Sequence, residues 1–164
     1  MFRLKEGFYL ESRGIEIILD TDGSTQVLQM LSNCINFRRY NWFIKHLDAY
    51  ANIIANEPIY LDGIVSGNVL EREINRMDYC IFGKFVAIPA KLNKGNHENI
   101  DVSTYEEFVQ SNAEIVILNW DVYNFDIYCK SEETIQEIAL NAEQSGLKYE
   151  LIDENDSRTR LNVW

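Results

Sequence analysis

The residues best equipped to do chemistry lie in IEIILDTDGSTQVLQML, residues 15–31. An apolar run ends there in Asp20-Thr21-Asp22-Gly23-Ser24-Thr25, the order of types with which phosphatases and phosphotransferases of the haloacid-dehalogenase kind begin their chemistry. In that reading Asp20 attacks the phosphoryl group, Asp22 is the general acid, and both project past a strand end beside a magnesium ion. The same chemistry needs a downstream Ser or Thr and a Lys to hold the phosphate, and a further acidic pair after a later strand. Asp153 and Asp156, after YELI, are the candidates for that pair, but no later strand ends in the required hydroxyl. Asp-Gly is also an ordinary tight turn, and Asp22, Ser24 or Thr25 an ordinary helix cap. Local hydrogen bonding accounts for the whole motif. Catalysis by Asp20 and Asp22 therefore stands as the alternative, and the leaning is towards no enzymatic activity.

Two other clusters carry functional side chains. FRRYNWFI, residues 37–44, sets Arg38 and Arg39 beside Tyr40 and Trp42, a kit for stacking on a base or gripping a phosphate. The competing expectation puts Trp42, Phe43 and Ile44 in the core and pairs the arginines with acids; Trp42 is kept as a candidate cleft wall. DENDSRTR, residues 153–160, is the densest polar run. Asp153, Asn155, Asp156 and Arg158 could there present oxygen ligands or a guanidinium to a partner, or satisfy one another in a hairpin connection. His46 and His97 have no second ligand at metal spacing, and no glycine cluster has the dinucleotide or Walker pattern, so neither metal nor cofactor is expected.

Charge sets the class of partner. Of the 164 residues, 15 are Lys or Arg and 26 are Asp or Glu, a net charge of −11. Nucleic acid and anionic membrane both demand a cationic face, so a basic protein or peptide is the better complement. From Glu98 to Cys129 there is no Lys or Arg, and Glu106, Glu107, Asp121 and Asp126 fall in that span. Cys34, Cys80 and Cys129 are odd in number and set among apolar residues, which reads as reduced, buried thiols. No apolar run approaches the roughly 18 residues of a membrane span, and the charged opening is no signal peptide. A cytoplasmic location is expected; oligomeric state is left open.

The positioning elements follow from periodicity. Residues 13–19 read as a strand and Val27, Leu28, Leu31 and Ile35 as the stripe of a helix. AYANIIA and Ile59-Tyr60-Leu61 read as short strands, residues 66–77 as a helix, and YCIFGKFVAIP as a long strand with Gly83 as a bulge. Ser103 and Glu106 form a capping box for a short helix over 104–110. EIVILNW is an apolar run that belongs at the centre of a sheet. VYNFDIYCK alternates, with Tyr123, Phe125, Ile127 and Cys129 on the face expected to meet the core and Asn124, Asp126 and Tyr128 on the face expected to meet water. Ser131 caps a helix ended by Gly146, and strands follow at 148–152 and 161–164. The expectation is one α+β domain over 1–164, with a soft boundary in the loop 91–99. Its sheet is mixed or largely antiparallel, with helices packed mainly on one face.

RGIEIIL, RRYNWFI, STYEEFVQSNAEIVILNWDVYNFDIY and LIDENDSRTRLNVW together resemble an uncharacterised bacterial family, the domain-of-unknown-function family 2691 of Bacillus-like organisms. The resemblance covers nearly the whole chain and implies a small cytosolic bacterial protein with no assigned activity. It carries over no catalytic residue, marks 155–159 and 163–164 as similar to the family's own ending, and weakens the phosphatase reading. The leading expectation is a non-enzymatic acidic recognition protein, of inhibitor or immunity type, binding a basic surface through Glu106, Glu107, Asp121, Asp126 and the 153–158 loop. A magnesium-dependent phosphatase or phosphotransferase is the alternative, and a small-ligand sensor using Trp42 the third.

Overall fold

The computed structural model describes residues 11–52, 54–92 and 100–163. The chain runs β1 (Ser12–Ile18), α1 (Ser24–Cys34), a 3-10 turn (Phe37–Arg39), β2 (Tyr40–Asn52), β3 (Glu57–Pro58), β4 (Gly63–Ser66), α2 (Gly67–Arg76) and β5 (Tyr79–Pro89). It continues with α3 (Tyr105–Gln110), β6 (Ile115–Asp121), β7 (Asn124–Cys129), α4 (Glu132–Gln144) and β8 (Lys148–Asp153). All eight strands join one sheet in the order β3-β2-β5-β6-β7-β1-β8, with β4 also on β2. Every pairing is antiparallel. The apolar run 115–120 is at the sheet's centre, where residues 115–119 are buried on both faces. Strands β5 and β6, on either side of the 91–99 loop, are hydrogen-bonded neighbours in the one sheet; residues 93–99, His97 among them, lie outside the described residues.

Three helices cover one face. Val27, Leu28 and Leu31 of α1, Leu70 and Ile74 of α2, and Ile135, Ile138 and Ala142 of α4 pack on Ile15, Ile17, Ile44, Phe85, Ile117, Phe125 and Ile127. Each such Val, Leu, Ile or Phe side chain, fully buried, stabilises the fold by about 1.5–3 kcal/mol before entropy is counted. Ser24 does not cap α1. Gly23 is the N-cap, with no side-chain bond, and the buried Ser24 hydroxyl instead accepts the Cys80 amide at 3.0 Å, tying the helix to β5. Gly67 admits α2 against the 3-10 turn: a Cβ there would stand 1.8 Å from the Phe37 carbonyl oxygen.

The opposite face was expected to be wet, and it is a second core. Val86, Val116, Leu118, Tyr128 and Ile152 are covered by Phe108 of α3 and by Val102, Leu161 and Val163. The covering chain, residues 154–163, is neither a hairpin connection nor a strand. It leaves β8, crosses the sheet as a strap, and zips onto residues 103–105: Tyr105 N donates to Thr159 O, Leu161 N donates to Ser103 O, and Arg160 bridges Thr104. Two further expectations are corrected. The bulge lies in β2 at His46 and Leu47, with Gly83 opposite it, and His46 takes a φ of 55°. The cap of α3 is one residue along: Thr104 accepts the Glu107 amide, and Glu107 in return accepts the Ser103 amide.

Candidate functional site

One transverse row of the second face decides how the strap lies. Register places Lys45 opposite Lys84, Lys84 opposite Leu118, Leu118 opposite Asp126, Asp126 opposite Glu16 and Glu16 opposite Glu150. The two cations at one end, and Asp126 and Glu16 at the other, are met by chain of opposite sign, while Glu150 stays exposed at the sheet's edge. Asp101 reaches both lysines, with 2.8 Å to Lys84 Nζ, which also donates to Val102 O and to Asn162 Oδ1 at 3.1 Å. Burial pulls the Lys84 ammonium below its usual value, against the Asp101 carboxylate. Burial also raises the Asp101 carboxyl, but the two lysines outweigh it and hold the group below its ordinary range.

At the acidic end Arg158 Nη1 lies 2.9 Å from Glu16 Oε2 and 3.4 Å from Asp126 Oδ1, while Nε and Nη2 grip both oxygens of Asp156 at 2.9 Å. That fork holds the Asp156 carboxyl down at about 2. Asp126 is shifted the other way, raised by burial despite the Trp120 indole N–H, which donates to its Oδ2 at 2.9 Å. The Tyr128 hydroxyl lies buried beneath this network without a hydrogen-bond partner among the described residues. Charges so fully engaged hold the strap and offer nothing outward.

Beside the strap the surface opens. A groove of about 560 Å³ is lined by Arg13, Thr104, Tyr105, Glu106, Val109 and Thr159 among others. A second, of about 700 Å³, shares Arg13, Tyr105 and Val109 and runs past Glu11, Lys130, Glu132 and Glu154. Together they form one trough with Tyr105 on its floor. Arg13 lies 4.3 Å over the Tyr105 ring and donates to the carbonyls of Asp156 and Arg158. Lys130 donates to Ser111 O and sits 5.4 Å over the Phe108 ring. Both cations are therefore engaged by groups of this chain, Arg13 half-buried and Lys130 exposed. Glu11, Glu106, Glu132 and Glu154 are exposed, and none is in an ion pair with another described residue. The trough is apolar along its floor and negative along its rim. Burial raises the Tyr105 phenol against the lowering effect of Arg13.

The structure brings few of the expected site residues to this trough. Glu106 is on it, and Glu107, on the same helix, binds the Ser103 amide. Asp121 closes the β6–β7 turn by accepting the Tyr123 amide at 2.8 Å. Asp126, Asp156 and Arg158 belong to the strap network, Asp153 accepts the Asn155 amide, and Asn155 is exposed. Trp42 has no exposed surface and donates its indole N–H to Phe37 O, so it walls no cleft. Glu11, Glu132 and Glu154 escaped sequence reasoning, since Glu132 looks like an ordinary partner of a helix N-terminus and the other two flank strands without pattern.

The Asp20 motif is not completed. Asp20 pairs with Lys148 at 2.6 Å in full solvent, and Asp22 accepts from Ser24 at 3.5 Å. Asp153 lies at the other end of the β1–β8 ladder, which runs from Ile18↔Lys148 to Ser12↔Asp153, about 20 Å at the rise of a strand. Among the described residues no group of three His, Cys, Asp or Glu could hold a metal ion. Cys34, Cys80 and Cys129 are free thiols; burial pushes Cys80 up to about 12 and Cys34 to about 11. No described helix is long and apolar enough to cross a membrane.

Comparison with known proteins agrees with the resemblance of the motifs. The "Uncharacterized protein YncE" of Bacillus subtilis (strain 168) is 38% identical over 103 residues, 61% of this chain; the matched part spans 64% of that relative's length. No solved structure matches. The sequence model of the family described as "Protein of unknown function (DUF2691)" matches residues 12–162, and the chain belongs to that family.

Proposed function

We propose that the protein is a non-enzymatic recognition module of the cytoplasm that receives a basic segment of another protein in the Tyr105 trough. One observation carries the reading: four exposed carboxylates, Glu11, Glu106, Glu132 and Glu154, rim a largely apolar floor whose own two cations, Arg13 and Lys130, are already engaged by carbonyls and aromatic rings of this chain. A rim of this sign gives no hold to phosphate, so nucleic acid is a poor occupant. Tyr105 and Val109, which is 52% exposed, offer the rigid apolar contact that interface centres use, and the carboxylates supply steering and register. The net charge of −11 speeds encounter with a cationic partner and makes it sensitive to salt.

The test uses three synthetic peptides of equal length: one alternating Lys with aromatic residues, one in which Glu replaces each Lys, and a neutral one. Amide and methyl resonances of Tyr105, Val109, Glu106 and Glu132 are followed by NMR at low and high salt. Shifts at these residues with the cationic peptide alone, weakened by salt and by the variant Glu132→Lys/Glu154→Lys, are expected. Equal response to all three peptides, or shifts away from the trough, would refute the proposal.

A further inference from the structure

The two edges of the sheet are finished differently. On the β2 side the edge is made by β3 and β4, of two and four residues, with Pro58 in one and Gly63 at a φ of 71° in the other. Short strands, proline and bulges are how sheets deny a template to another chain. On the other side β8 runs for six residues, KYELID, without proline, and its ladder to β1 is regular from Lys148 to Ile152. Its outer edge has no partner strand among the described residues. Leu151, in its middle, is 54% exposed although it stands on the helix-bearing face, opposite Ile15. Among the described residues nothing covers it.

We propose that this edge pairs with β8 of a second copy of the chain, antiparallel, about a two-fold axis through Tyr149. The register follows from sequence and face. A two-fold axis normal to the sheet keeps each face on its own side, so only residues of the same face can stand opposite one another. Centring the axis on Glu150 sets Glu150 against its own copy, a repulsive pair. Centring it on Leu151 sets Tyr149 against Asp153 and Glu150 against Ile152. Centring it on Tyr149 sets Lys148 against the second copy's Glu150, twice over, on the strap face. On the helix face the same register sets Leu147 against the second copy's Leu151 and stacks the two Tyr149 rings at the axis. Only this arrangement opposes unlike charges and covers Leu151 in one step. Lys148 is bound to Asp20 in the isolated chain, but that pair is exposed on both sides, 74% and 72%, and is easily exchanged. The product is a continuous antiparallel sheet of two copies with the trough of each left open to a partner.

Sedimentation over a range of concentrations tests for the dimer, and cysteine cross-linking fixes its register. In a Cys34→Ser background, where the remaining thiols are buried, Tyr149→Cys is expected to form a disulfide-linked dimer under mild oxidation, because paired Cα atoms across an antiparallel ladder fall within disulfide reach. Leu151→Cys, displaced along the strand from its own copy, is expected to remain uncross-linked. Glu150→Lys should weaken dimerisation about tenfold, and the swap Lys148→Glu/Glu150→Lys should restore it. A protein that stays monomeric at every concentration, a Leu151→Cys variant that cross-links as readily as Tyr149→Cys, or a charge swap that restores nothing would each overturn the proposal.

Discussion

Glu16 and Asp126 stand directly opposite each other on β1 and β7, two carboxylates on the same face with Arg158 spanning both. Like charges placed so across a ladder repel. The pairing survives because the strap delivers a guanidinium onto it, and the strap lies where it does because that charge is needed there.

Replacing Arg158 by Ala should therefore cost more than an exposed ion pair would. It strands a buried Asp126 beside Glu16, and a loss of about 2 kcal/mol is expected once the guanidinium's partial exposure is discounted. Adding Asp126→Asn should recover a large part of it. Urea unfolding of the two variants measures both effects.

The same network fixes the acid limb of stability. Asp156 has a carboxyl held at about 2 against an ordinary value of 3.8, so its contribution is complete above pH about 4 and is lost as the pH falls to about 2. Asp126, raised by burial, opposes folding when ionised, and that opposition fades as the pH drops through its elevated value. Asp156→Asn should lower stability at neutral pH and leave the unfolding midpoint nearly equal to the parent's at pH about 2. Urea midpoints taken from pH about 7 to 2 check the sign.

Lys84 is wholly buried and ties β5 to Asp101, Val102 and Asn162 at once. Lys84→Ala should destabilise by about 3–4 kcal/mol, leaving Asp101 without its buried partner, whereas Lys84→Met should cost clearly less because it keeps the volume. Amide exchange at Leu161 and Asn162 should quicken in both variants, which separates loss of the strap from general unfolding.

Gly67 makes no unusual turn, yet it tolerates no side chain. A methyl group would overlap the Phe37 carbonyl, and Gly67→Ala should cost about 3 kcal/mol by forcing α2 away from Trp42 and Phe37. Trp42 fluorescence and thermal denaturation report the shift.

The elements whose burial is local were legible. The uninterrupted run 115–120 gave a central strand, and α4 showed its cap, stripe and terminal glycine. Strand β2 is not legible as one piece: the 3-10 turn at Phe37–Arg39 mixes a second period into Phe37–Ile44, and the bulge at His46 and Leu47 breaks the alternation beyond it, so 49–55 reads as a separate strand. The second core was missed for another reason. Asp126 and Tyr128 look like a wet face until residues some thirty positions later fold back over them, and no window in the sequence contains both. Lys84 carried a signal that could have been used, since a lone cation inside YCIFGKFVAIP must find a carboxylate if the strand is buried. The trough is assembled from four separate segments, and only Glu106 was flagged among its rim.

The strap is made after everything it covers. Lys84 meets Asn162 across 78 positions of sequence, and Glu16 meets Arg158 across 142. On a growing chain, Val86, Val116, Leu118 and Tyr128 must wait, with only Val102 and Phe108 to cover them, until residues 158–163 have left the ribosome. One side of the sheet can thus set early while the other stays tacky, and a chain stalled before Arg158 is a natural client for a chaperone.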